Sequence, residues 1–215
     1  SSTMKFSSQE YNKGETTETS GLLLVSNWTD DFVTEFSYTT KDQITSQQSP
    51  LGQNLPSFQI DNCGSQGIRC LLGPDIFRSA NDLKTTTDYL KLKGTYYRDN
   101  HKLTFGYENK VWDIYNVFLE AQDGEYEFDG LAAYQAQTAS SFSHNNSRDL
   151  TQEGAAAIFE YYLDSIYIQD EIDLSDKLNV LVGLRYDRFH SDDAPAVNQG
   201  FVDTFGFANG GIEGT

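Results

Sequence analysis

Residues 164–189 alternate apolar and polar side chains on either side of a minimal turn, Ser175-Asp176-Lys177. In the second arm Leu178, Val180, Val182, Leu184 and Tyr186 fall on one side of an extended chain, opposite Asn179, Gly183, Arg185 and Asp187. Successive side chains of a strand point to opposite faces, so period two over this length means a strand with one apolar and one polar face. The first arm lines up Ile166, Ile168, Ile172 and Leu174, but Asp170 falls among them. Either a bulge that turns Asp170 inward or a place near a membrane interface would reconcile it.

Two earlier stretches have the same build. Residues 20–28 and 32–41 flank Thr29-Asp30-Asp31, and in the second arm Phe32, Thr34, Phe36 and Tyr38 oppose Val33, Glu35, Ser37 and Thr39. Residues 87–97 and 102–108 flank Arg98-Asp99-Asn100. There Leu90, Leu92 and Tyr96 alternate with Lys91, Lys93 and Thr95, and Leu103, Phe105 and Tyr107 alternate with Thr104 and Glu108. Long polar segments, 42–82 and 111–157, follow the first two hairpins. Strands of about ten residues, tight turns at one end and long loops at the other form the pattern of an outer-membrane β-barrel. Lysines in such strands are costly facing lipid and ordinary facing a wet lumen, and the alternation puts Lys91 and Lys93 on the polar face.

The remaining segments carry weaker signals. Residues 3–11 read as an arm joined to the first hairpin through a turn at 12–16, a turn-former cluster. The segment 42–82, with Pro50, Pro56, Pro74 and both cysteines, reads as a loop or folded excursion. Asp123-Gly124 suggests a side hairpin of 115–122 with 125–128, and 139–148 reads as a polar loop. Residues 153–163 have some helical spacing, but Ile166-Tyr167-Ile168 downstream favours a strand. The ends, from Ser1 and through 210–215, look cut, as in a piece of something longer.

Composition narrows the class. No run among the 215 residues reaches the ~18 to 20 apolar residues of a membrane helix. The most strongly apolar, Gly-Leu-Leu-Leu-Val at 21–25, fits a buried strand. With 13 Tyr and 14 Phe against 1 Met, the chain favours strands over helices. Its negative mean hydropathy is compatible with a barrel, where only alternate residues meet lipid. A net charge of −17 argues against nucleic acid binding, which needs a basic patch. The acids read as solvated loops, with cation handling as the other reading.

Cys63 and Cys70 have no histidine near them, which argues against zinc. A local disulfide in an oxidising compartment fits better, worth about 2.5 kcal/mol in the chain-entropy model; two free thiols are the alternative. His101, His144 and His190 have no metal-ligand spacing and read as surface residues. No nucleophile, phosphate-loop or metalloprotease motif is present, and nothing selects one carboxylate pair for acid–base work. The chain does not read as an enzyme and calls for no cofactor.

Residues 167–187, Tyr-Ile-Gln-Asp-Glu-Ile-Asp-Leu-Ser-Asp-Lys-Leu-Asn-Val-Leu-Val-Gly-Leu-Arg-Tyr-Asp, resemble the barrel hairpin of TonB-dependent outer-membrane receptors. Residues 73–83, 103–108 and 113–118 resemble the Oar-like branch, whose members often carry a carboxypeptidase-regulatory-like domain. The resemblance implies an all-β antiparallel transmembrane barrel of 22 strands with a plug domain, which takes up siderophores, cobalamin, glycans or peptides with energy from TonB. Residues 1–215 would then be a mid-barrel segment of about seven or eight strands, lacking the plug and the C-terminal strands. Its partners would be outer-membrane lipid, a small nutrient, and the TonB complex through an N-terminal region outside this chain. In that setting Lys91, Lys93, Glu108, Arg185 and Asp187 line the lumen, and the segments 42–82 and 111–157 form an outer vestibule. Two other readings differ in what they expect. A complete small barrel with a structural or adhesion role closes its first strand on its last. A soluble extracellular glycan-binding β-sandwich buries the apolar faces in a two-sheet core.

Overall fold

The computed structural model describes residues 2–52, 54–64, 67–147, 149–194 and 197–207. In chain order the elements are β1 (Ser2–Lys5), β2 (Asn12–Asn27), β3 (Phe32–Gln48), β4 (Ser57–Asp61), β5 (Ile68–Leu72), β6 (Ala80–Arg98), β7 (His101–Leu119), β8 (Glu125–Phe128), α1 (Leu131–Gln135), β9 (Ser141–Ser143), β10 (Ala157–Ser175), β11 (Leu178–His190) and α2 (Gln199–Phe205). Among the described residues the strands form a six-stranded sheet, β11-β10-β7-β6-β3-β2, and a five-stranded sheet, β1-β5-β4-β8-β9. The six-stranded sheet is open, with β2 and β11 as its edges.

The chain divides into two compact units. One comprises the described residues of Ser1–Glu18, Asp42–Thr85 and Ile114–Ile158, and the other those of Thr19–Lys41, Thr86–Asp113 and Phe159–Thr215.

In the second unit the tight turns stand where the sequence places them. Trp28 N–H donates to the Phe32 carbonyl at 3.0 Å, closing the first turn. In the second turn Asp99 takes φ 51°, the left-handed region that Asp tolerates better than most residues. The third carries a register shift between Asp173 and Ser175. Backbone hydrogen bonds tie neighbouring turns together: Tyr97 N–H donates to the Asp31 carbonyl at 2.8 Å, and Asp173 N–H to the Asn100 carbonyl at 2.9 Å.

The strands run far longer than the expected ten residues: β6, β7 and β10 have 19 each, β3 has 17 and β2 has 16. Crossing a bilayer takes only ~9 to 11 tilted residues. The extra lengths of β2, β3 and β6 are mostly polar on both faces and carry no amphipathic signal, while those of β7 and β10 are rich in apolar and aromatic residues without clean alternation; the backbone ladder to neighbouring strands holds them all extended. This overturns the turn at 12–16, which lies inside β2, with Gly14 beside Ser46 of β3. It also accounts for the strand count: six long strands in one sheet, where seven or eight were expected.

The run 21–25 is a strand but not a buried one. Leu22, Leu23, Leu24 and Val25 are all more than half exposed, because β2 is an edge and has one neighbour only. Residues 153–163 resolve as a 3-10 turn, Glu153–Ala155, followed by β10. The stretch 210–215 lies outside the described residues.

In the first unit the segment 42–82 is a folded excursion. β1 pairs in parallel with β5, Ser2 opposite Ile68 through Lys5 opposite Leu71, so residues 3–11 are not an arm of the first hairpin. The side hairpin at Asp123-Gly124 is absent as well. Residues 115–119 finish β7, and Gly124, at φ 92°, ends a turn whose carbonyl accepts from Ser57 N–H at 2.9 Å. That bond draws β8 alongside β4 in parallel, and β9, inside the expected loop 139–148, pairs with β8. Ile60, Cys70 and Phe128 form the core of this small sheet, with Phe58, Leu72, Tyr126, Ala133 and Tyr134 packed against it. A Cys63–Cys70 disulfide closes the β4–β5 connection, with Cα atoms 5.9 Å apart.

Candidate functional site

The second unit presents two unlike faces, and strand parity decides which residue joins which. On β10 and β11 the register sets Ile166 opposite Tyr186, Ile168 opposite Leu184, and Ile172 opposite Val180. The intervening positions set Ser165 opposite Asp187, Tyr167 opposite Arg185, and Gln169 opposite Gly183. Ile166 is 58% exposed, Leu184 79% and Tyr186 64%. Phe105 of β7 lies on this apolar face against Gly94 of β6, where a Cβ would meet its ring. A β-sandwich would bury these side chains between two sheets. Here they form a broad uncovered patch, which is stable only against lipid or a partner surface.

Polar and aromatic groups border this face at both ends. Away from the tight turns, Tyr38 donates its hydroxyl to Asp88 at 2.6 Å, and Tyr107 donates to Asp164 at 2.6 Å. Asn109 also donates to Asp164 at 2.9 Å, and His190 lies 3.9 Å from it. Near the turns Trp28 donates its indole N–H to Thr34 at 2.8 Å. Rings with an apolar body and a hydrogen-bonded tip suit the boundary between lipid and water.

Asp170 remains on the apolar face, opposite Val182, since the register shift comes only beyond it at Asp173/Ser175. No bulge turns it inward. His101 at the start of β7 stands against it instead, Nδ1 to Oδ2 2.7 Å. His144, in the first unit, stacks on Phe142 with ring centroids 6.1 Å apart.

The opposite face carries the charges. Lys93 meets Glu35 at 2.9 Å, a β6–β3 pair. Glu108 accepts from Arg185 at 3.1 Å and stands 4.0 Å from Lys91. Arg185 also donates to Asp187 at 2.8 Å. Since β10 lies between β7 and β11, the Arg185 guanidinium must cross Tyr167 to reach Glu108, and it sits 5.7 Å from that ring centroid. Gly106 makes room for this: a Cβ there would collide with the Tyr167 ring. Lys110 covers the Tyr89 ring at 4.6 Å on the same face.

Lys91, Lys93, Glu108, Arg185 and Asp187 are therefore brought together on one face, as a network of ion pairs. Glu35 and Tyr167 join this face as well, beyond the five residues that the alternation assigns to the lumen. Parity alone could have put both there; their partners depend on registers between strands far apart in sequence. Three cations and three carboxylates balance locally, although the chain as a whole is at −17. Partly exposed pairs like these contribute little stability each. Their chemical significance is a charge-paired, hydrogen-bonding wall that water can wet.

The family model described as outer membrane beta barrel domain matches residues 2–213. No curated protein and no solved structure matches the chain.

Proposed function

The chain belongs to the outer membrane β-barrel domain family and resides in the outer membrane, and from that premise we propose that it forms part of a TonB-dependent receptor that binds and imports a scarce nutrient. The nutrient is a siderophore, vitamin, glycan or peptide, and the TonB complex supplies the energy. The observation that carries this reading is the ion-paired face that runs from Glu35 through Lys93, Lys91 and Glu108 to Arg185 and Asp187. Charges of both signs, mutually paired and partly exposed, suit a water-filled passage and not a dry side-chain-filled interior. The hairpin 167–187, with its resemblance to the receptor hairpin, supports the same reading. So does the open edge on each side of the sheet, which suits a segment of a wider barrel.

Deletion of this protein is expected to slow growth on at least one limiting nutrient: chelated iron, trace cobalamin, a glycan as sole carbon source, or a peptide as sole nitrogen source. The defect should vanish in a strain that already lacks TonB. Equal growth on all four, or a defect that persists at full size without TonB, would overturn the transporter reading and favour a structural or adhesive role.

A further inference from the structure

We propose that the aromatic cleft of the first unit is a binding site for a neutral oligosaccharide. The inference is independent of the transport reading, because the cleft belongs to the five-stranded sheet and its helix α1. Phe58 and Tyr126, neighbours across the β4–β8 pairing, lie nearly parallel, with ring centroids 5.9 Å apart and 20° between planes. Tyr134 of α1 stands perpendicular to Phe128 at 5.3 Å and at 74° to Phe58. The result is a floor and a wall of aromatic surface, and Gln135 and Gln137 complete the lining.

Three features select the ligand. First, no charged side chain lines the cleft, in a chain with 47 charged residues by count, 15 basic and 32 acidic. A charged ligand would find no counterion there. Second, among the described residues the Tyr126 and Tyr134 hydroxyls and the Gln135 and Gln137 amides make no side-chain hydrogen bond. An apolar ligand would cover these groups and leave them unpaired, which is costly. Third, the combination asks for a ring with an apolar face and a hydrogen-bonding edge. A pyranose has both: axial C–H groups for the floor, hydroxyls for the amides and phenols.

The backbone adds an independent argument. α1 ends in a Schellman motif: Thr138 N–H donates to the Ala133 carbonyl and Gln137 N–H to the Tyr134 carbonyl, both at 3.0 Å. Gln137 occupies its left-handed position at φ 56°, where glycine is the usual residue and any side chain is strained. A glutamine at such a position, beside the cleft, brings a side-chain amide to the lining at the expense of backbone strain.

The test uses the full protein in detergent, titrated calorimetrically with maltohexaose, cellohexaose, chitohexaose and mannohexaose. At least one should bind, and Gln137→Gly and Gln135→Ala should each weaken it about 3- to 10-fold, the worth of one neutral hydrogen bond. Gln137→Gly should leave the thermal unfolding temperature unchanged or higher, because glycine relieves the strain. Binding by none of the four overturns the proposal, as does binding that both substitutions leave unaltered. An apolar hexapeptide that binds in their place would overturn it too.

Discussion

Leu184 and Leu181 lie three residues apart on β11 and face opposite sides of the sheet, Leu184 beside Ile168 and Leu181 beside Glu171. Both are well exposed, 79% and 62%, so in water an arginine would suit either. In a bilayer the two differ. Leu184→Arg should cost about 2–4 kcal/mol if its position is near the midplane, and Leu181→Arg on the wetted face well under that. Urea unfolding in phosphatidylcholine vesicles measures both, and equal costs would show that the Ile166–Leu184 face does not meet lipid. Asp149, in the first unit, offers a separate test by pH. Its carboxyl accepts from the Ser147 hydroxyl at 2.5 Å, and from the Thr151 hydroxyl at 3.0 Å and amide at 3.2 Å, and these bonds hold it below the usual carboxylate range. A lowered folded value means stabilisation that is complete above the unfolded value, roughly 4, and is lost as pH falls through the folded one. Hydrogen exchange at the Thr151 amide should therefore lose protection only in acid, and Asp149→Asn should remove that acid step.

At the scale of elements, the contact between β6, β7 and β10 turns on Gly106. A Cβ there would stand 2.7 Å from the Leu92 carbonyl oxygen and 2.5 Å from a ring carbon of Tyr167. The ring could swing aside, but the carbonyl belongs to the ladder and cannot. Gly106→Ala should destabilise by about 1–3 kcal/mol, and Tyr167→Ala in the same chain should recover only part of that; full recovery would mean that the backbone approach is not the constraint. Element boundaries also show what the sequence discloses. The three tight turns were legible because a period-two pattern breaks sharply at a short polar turn that holds at least one Asp. The outer halves of β2, β3 and β6 were not, since mostly polar residues on both faces look like loop, and only the neighbouring strand's backbone makes them extended.

For the whole molecule, legibility followed contact range. Parity placed Lys91, Lys93, Glu108, Arg185 and Asp187 on one face, which needs only local alternation. Their pairing with Glu35 and across Tyr167 spans up to 77 residues, Glu108 to Arg185, and no local pattern encodes it. The five-stranded sheet was hidden for the same reason. Its parallel contacts, β1 with β5 and β4 with β8, join strands of 4 or 5 residues separated by long stretches of chain, and such strands are too short for periodicity to show. Asp-Gly at 123–124 misled because its glycine serves a turn that hands the chain to β4 instead of returning it on itself.

The bonds between adjacent turns have a geometric consequence. Asp31 sits in its turn while its partner Tyr97 lies within β6, and Asn100 sits in its turn while its partner Asp173 lies within β10. Each hairpin thus overshoots the one before it, always in the same direction. A constant overshoot is a shear, and shear together with strand number fixes the tilt and radius of a closed sheet. The gauge of a barrel built this way is set at its short-turn rim, by the step from each hairpin to the next.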